Sequence, residues 1–162
     1  MNVEMIQVLK GYGNSIVQEI QQNLSSSGTN ATGKTSRSLQ YTVIHTNTTA
    51  TLQITGRPFF ATVETGRKAT PEYTKPSKMF VEAIREWVKA KGIPEAAAYA
   101  IAKSIHQKGT KLKQSGGRDD IYSNVINDSL ISEISKDLLS RFAEDFANNL
   151  VKMYGTNSNA AA

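Results

Sequence analysis

The chain has 162 residues, a net charge of +5 and no cysteine, which excludes a disulfide framework, a thiolate nucleophile and a cysteine zinc site. A hydrophobic content of 39% against 20% charged excludes a wholly disordered chain, and the length suits one domain with an ordinary core. An aromatic fraction of 7% points to a core of Ile, Leu, Val and Ala, while the basic balance suits an acidic partner without requiring one.

The first twenty-odd residues place Met5, Ile6, Leu9, Ile16, Ile20 and Leu24 at helical spacing and end in Ser25-Ser26-Ser27-Gly28, which predicts an N-terminal helix with a glycine stop. The opening MNVEMIQVLKG lacks the basic flank and apolar run of a secretory signal, and no stretch is long enough to span a bilayer. The expectation is a soluble protein made in the cytoplasm, with no membrane partner.

GTNATGKT at 28–35 fits G-x-x-x-x-G-K-[ST], the phosphate-cradling loop of nucleotide hydrolases. That chemistry needs a buried strand before the loop and a helix after it, so that backbone N–H groups converge on one anion. Here a helix precedes, and the strand-like RSLQYTVIH follows, with Leu39, Tyr41 and Val43 alternating with polar residues. Neither VIHT nor LQITG ends in an acid that could hold Mg²⁺. The match reads as a turn between two elements, and a nucleotide hydrolase is the remote alternative.

Three β-prone runs, RSLQYTVIHT, ATLQITG and FFATVET, are joined by short connections and predict an antiparallel meander. Pro71 and Pro76 make GRKATPEYTKP a loop, after which a helix opens near Thr74 or its Thr-Lys-Pro. SKMFVEAIREWVKAKG sets Phe80, Ile84, Trp87 and Val88 on one stripe, a strongly amphipathic helix stopped by Gly92 and Pro94. EAAAYAIAKSIHQK forms its partner and stops at Gly109. GTKLKQSGGR, with three glycines, Lys111, Lys113 and Arg118, reads as a mobile basic loop. Asp119 or Asp120 caps a long final helix from Ile121 to Met153, with a break at Asp128-Ser129, and 155–162 reads as a disordered tail. The fold class is therefore α+β: a small antiparallel sheet with N-terminal, central and long C-terminal helices in a single domain, 1–154.

No enzyme constellation emerges, and no cofactor or metal is expected. His45 and His106 have no sequence neighbour placed to orient them and read as structural. Glu82, Glu86, Glu144 and Asp145 read as solvated carboxylates paired with Arg85, Lys89 or Arg141. Trp87 reads as core. The cluster Lys103, Lys108, Lys111, Lys113 and Arg118 suits phosphates or an acidic protein surface, which keeps a basic nucleic-acid-binding module as the alternative function.

Taken in order, the N-terminal helix, ATGKTSRSLQ, GRPFFATVETGR with its Glu64-Thr65-Gly66, WVKAKGI and AYAIAKSIHQKGT resemble the head–tail connector proteins of tailed bacteriophages, the neck or tail-completion group. The resemblance covers residues 1 to 154 and implies a non-enzymatic virion protein of the neck. Such a protein forms a homo-oligomeric ring that joins portal and tail, touches adjacent neck or tail proteins, and surrounds the genomic DNA passing through its centre. A small meander also leaves strand edges that a neighbouring subunit would cover. The interface residues expected on the strand edge and the two loops are Arg57, Arg67, Lys68, Tyr73, Lys108, Lys111, Lys113 and Arg118.

Overall fold

The computed structural model describes residues 3–73 and 75–155, the side chains of 154 and 155 excepted. The architecture is α+β, with seven α-helices and one two-stranded antiparallel sheet among the described residues. The chain forms two compact units, one from Met1–Ile16, Tyr41–Ile54 and Ile126–Ala162, the other from Val17–Gln40 and Thr55–Val125. The first helix, α1 (Val3–Ser26), supplies residues to both.

In the first unit, β1 (Gln40–His45) and β2 (Ala50–Thr55) pair as a hairpin whose turn is closed by Thr46 N–H donating to Thr49 O at 2.8 Å. Tyr41, Val43, Ala50, Leu52 and Ile54 are the half-buried positions, as the period of two requires. Gly13 of α1 lets the helix approach this face, since a Cβ there would lie 2.5 Å from the Tyr41 ring and 2.9 Å from Leu52. The last helix, α7 (Asp128–Gly155), belongs to the same unit. Its first turn is capped by Asn127, whose Oδ1 accepts from Leu130 N–H at 3.0 Å. Asp119 and Asp120 therefore do not cap the last helix, and Asp128-Ser129 opens it instead of breaking it. The tail expected at 155–162 lies, from 156 on, outside the described residues.

The second unit holds most of the core. Val17, Ile20 and Leu24 of α1 are buried with Leu39, Val88, Ala98, Ala102, Ile121 and Val125. After α1, Gly33 adopts φ 67° and starts a single helical turn, α2 (Lys34–Arg37). The third β-prone run is not a strand, so the sheet stops at two. Residues 57–61 turn, with Phe60 N–H donating to Arg57 O at 3.1 Å, and α3 (Thr62–Thr65) is one helical turn ending at Gly66. Pro58 lacks the donor a ladder needs, and Glu64 has partners that only this turn lets it reach.

Ser77 caps α4 (Lys78–Ala90), its Oγ accepting from Phe80 N–H at 3.2 Å; the helix start expected at Thr74 falls on a residue outside those described. A 3-10 turn, Glu95–Ala97, leads into α5 (Ala98–Lys108), which packs on α4 as expected. Val88 is the fully buried residue of the α4 stripe, whereas Trp87, read as core, is 37% exposed at its margin. One further helical turn, α6 (Lys111–Gln114), lies in the segment read as a mobile loop.

Candidate functional site

The segment from Glu64 to Thr70 and the segment from His106 to Arg118 run with their backbones in contact, and glycine makes this possible. A Cβ on Gly66 would meet Lys113 N at 2.5 Å, one on Gly109 would meet Arg67 O at 2.9 Å, and one on Gly117 would meet Glu64 O at 2.9 Å. All three have φ between 68° and 93°, a region costly to other residues. Across the seam Thr110 N–H donates to Arg67 O and Arg67 N–H to Thr110 Oγ1, each at 3.0 Å. Arg118 N–H donates to Glu64 O at 2.9 Å. The Thr110 Oγ1 also accepts from Lys113 N–H and so caps α6. The basic segment is thus an ordered clasp.

Two buried groups fix the ends of the clasp. Glu64, only 2% exposed, directs Oε1 at three successive amides, Ile121 at 2.8 Å, Tyr122 at 2.6 Å and Ser123 at 3.0 Å, while Oε2 accepts from the Ser123 hydroxyl. Successive N–H groups of this kind form an anion nest, filled here by the chain's own carboxylate. Burial, the largest influence, pushes the Glu64 pKa up; the Ser123 hydroxyl and the amides of Ser123, Tyr122 and Ile121 together outweigh it and hold the carboxyl below its ordinary value. At the other end His106 is buried, its Nε2 2.7 Å from Tyr73 O and its Nδ1 2.9 Å from the Thr70 hydroxyl. Thr70 N–H in turn donates to His106 O at 2.8 Å. His106 therefore pins the proline-rich loop, whereas His45 is exposed at the end of β1.

Of the expected interface residues, Arg67, Lys68, Tyr73, Lys108, Lys111, Lys113 and Arg118 all belong to this clasp and the loop that it holds. Lys68, Lys108, Lys111 and Lys113 are exposed and have no ionic partner among the described residues, and Tyr73 is 65% exposed. Two cations are engaged internally: the Arg67 guanidinium sits 3.6 Å over the Phe80 ring, and Arg118 makes a two-pronged pair with Asp120 at 2.5 and 2.6 Å. Arg57 stands apart, next to the turn at 57–61, with its N–H donating to Ser38 Oγ at 3.0 Å. Beside it Phe59 is 77% exposed and has φ 73°.

Glu64 was legible only as a letter of a motif. Its neighbour at a distance, Ser123, and the nest at 121–123 lie outside any spacing rule; three glycines between 109 and 117 were the one local sign of close backbone approach.

The glycine pattern at 28–35 lacks the buried strand before it and the long helix after it that a phosphate-cradling loop uses. It follows α1, is succeeded by a single turn, and its Lys34 is paired with Glu86 at 2.6 Å. Glu82 pairs with Arg85, and Arg141 with Asp137 at 3.3 Å in place of Glu144 or Asp145. Among the described residues no group of three His, Cys, Asp or Glu could hold a metal ion, and no helix is long and apolar enough to cross a membrane. Comparison with protein-family models, with curated proteins and with solved structures gives no match to this chain.

Proposed function

We propose that the chain is a structural virion protein of a tailed bacteriophage, a head–tail connector or tail-completion subunit that forms a ring in the neck between portal and tail. The observation that carries this reading is the clasp. The stretches on which the resemblance rests, GRPFFATVETGR and AYAIAKSIHQKGT, are remote in sequence, and they meet through the reciprocal hydrogen bonds of Arg67 and Thr110 and the close backbone approach at Gly66 and Gly109, with Glu64 O accepting from Arg118 N–H just beyond. Residues joined in this way serve a common scaffold, and what they present outward is four unpaired lysines. A hairpin with two open strand edges gives a neighbouring subunit a second place to add.

The clasp holds its lysines at the surface without counter-charges, which suits the acidic face of a portal or tail protein. The test is electron microscopy and light scattering of the purified protein, alone and with the portal protein encoded in the same genome. Rings or a stoichiometric portal complex are expected, and changing Lys68, Lys108, Lys111 and Lys113 to Glu abolishes the complex without altering helix content. Absence of both ring and complex overturns the proposal.

The same lysines favour a second reading, a nucleic-acid-binding module. It requires duplex affinity that falls steeply with salt, and no binding at low salt removes it.

A further inference from the structure

Helix α7 is apolar on two sides. Leu130, Ile134 and Leu138 are half-buried, while a second row, Ile131, Leu139, Phe142, Phe146, Leu150 and Met153, is 39% to 68% exposed. At about 100° per residue the exposed row keeps to one stripe, and its last five members recur every three or four positions. Ser132, Ser135, Ala143 and Asn149 fill the remaining positions of that stripe, so no charge interrupts it between Ile131 and Met153. The stripe is about 33 Å long at 1.5 Å per residue.

We infer that the free protein pairs with a second copy of itself through this stripe of α7. Three observations select that occupant. Six large side chains exposed to this degree present on the order of 700 Å², above the largest apolar patch of an ordinary monomer. Two copies would bury roughly 1,400 Å² in total, within the range of stable dimers. A stripe without charge places no like charges opposite each other when it meets itself, and one patch meeting itself is a two-fold, isologous contact. Finally, among the described residues the unit that contains α7 buries only Leu9 and Ile16 of its apolar side chains, so pairing supplies apolar packing that this unit does not generate alone.

This pairing is independent of the ring, because a ring closes through two different patches, and either can exist without the other. Sedimentation across a dilution series tests it. Wild type is expected to show a monomer–dimer equilibrium; Phe142→Asp weakens it at least about a hundredfold, a loss of about 2.7 kcal/mol. Val151→Asp, at a still more exposed apolar position about 180° round the helix from Phe142, leaves it unchanged. Because the chain has no cysteine, single thiols introduced as Leu139→Cys, Phe142→Cys and Phe146→Cys report proximity directly. On oxidation at least one links two chains, and Ser140→Cys links none. Circular dichroism confirms that each variant keeps its helix content. A wild-type monomer at about 100 μM, a Phe142→Asp dimer as tight as wild type, or equal loss in Val151→Asp overturns the inference. A monomer that still forms rings on the portal overturns the pairing and leaves the connector reading standing; a dimer that ignores the portal does the reverse.

Discussion

The unit formed by Val17–Gln40 and Thr55–Val125 and the unit formed by Met1–Ile16, Tyr41–Ile54 and Ile126–Ala162 belong to one chain and bury their apolar residues very differently. Among the described residues the former contains every buried apolar side chain except Leu9 and Ile16, together with both buried ionisable groups, Glu64 and His106. The latter carries most of the exposed large apolar residues, from Ile44 on the hairpin to Met153 near the end of α7. Hydrophobic content runs the opposite way, since the less buried unit is the richer of the two in apolar residues. What separates them is polar wiring: the clasp fixes short segments around a common core, whereas a long helix and a hairpin expose one face each. The lesson is that the first kind of unit is packed internally, and that the second, through the pairing inferred for α7, gains stability from association, which makes its stability depend on protein concentration.

The sharpest way to break this comparison is to remove the Glu64 carboxylate. Glu64→Ala leaves three amide donors and a hydroxyl without their acceptor in a buried place, and the expected cost is roughly 3–5 kcal/mol. Thermal denaturation should show the loss at every protein concentration, since the clasp is internal to its unit. Glu64→Gln keeps an acceptor and loses the charge, so about half the effect is expected. A Glu64→Ala protein as stable as wild type would remove the clasp from the account of the fold.

Glycine substitutions come next. Gly109→Ala puts a Cβ at φ 76° and 2.9 Å from Arg67 O, for an expected loss of about 2–4 kcal/mol. Gly92→Ala has nearly the same φ, 69°, with nothing within 4 Å, and should cost about 1 kcal/mol. The difference between the two measures the seam itself, apart from backbone conformation. Equal losses in denaturant melts would mean that the two segments do not press together as described.

The pH dependence follows from the lowered Glu64 pKa. A carboxyl that is more acidic folded than unfolded contributes stability that is complete above the unfolded value, about 4.3, and lost as pH falls through the folded one. The melting temperature of wild type should therefore fall below about pH 4.3 more steeply than that of Glu64→Gln, with the two curves converging in acid. Parallel curves would show that Glu64 is not bound by its nest.

Much of this fold was legible, and the illegible parts share a cause. The periodic elements, α1, the hairpin, α4 and α5, stand where the spacing of Leu, Ile and Val put them, because each is determined by which face it buries. The third β-prone run failed because FFATVET carries a residue, Glu64, whose partners lie 57 to 59 positions away; local alternation had no information about them. The basic loop failed in the same way: its glycines read as freedom, yet two of them, Gly109 and Gly117, permit close packing against residues 64–69. Within the candidate site, the cations were found by charge alone, and charge could not tell Lys111, which is free, from Arg118, which is spent on Asp120.

The smallest effect expected on stability belongs to Phe59, and it tests whether the surface near Arg57 serves another molecule. A non-glycine residue at φ 73° with a side chain 77% exposed carries backbone strain of about 1 kcal/mol or more and gains little by burial. In Phe59→Gly the relief of strain is offset by the added freedom of the unfolded chain, so the net change should stay within about 1 kcal/mol. If the turn at 57–61 presents Phe59 to a neighbouring subunit or portal, the same variant loses ring or complex formation while melting like wild type. Aromatic side chains dominate such contacts when they enter a pocket on the partner. A variant that both melts and assembles like wild type would confine the contact surface to the clasp and its lysines, and would leave the strained turn as a consequence of placing Glu64 in its nest.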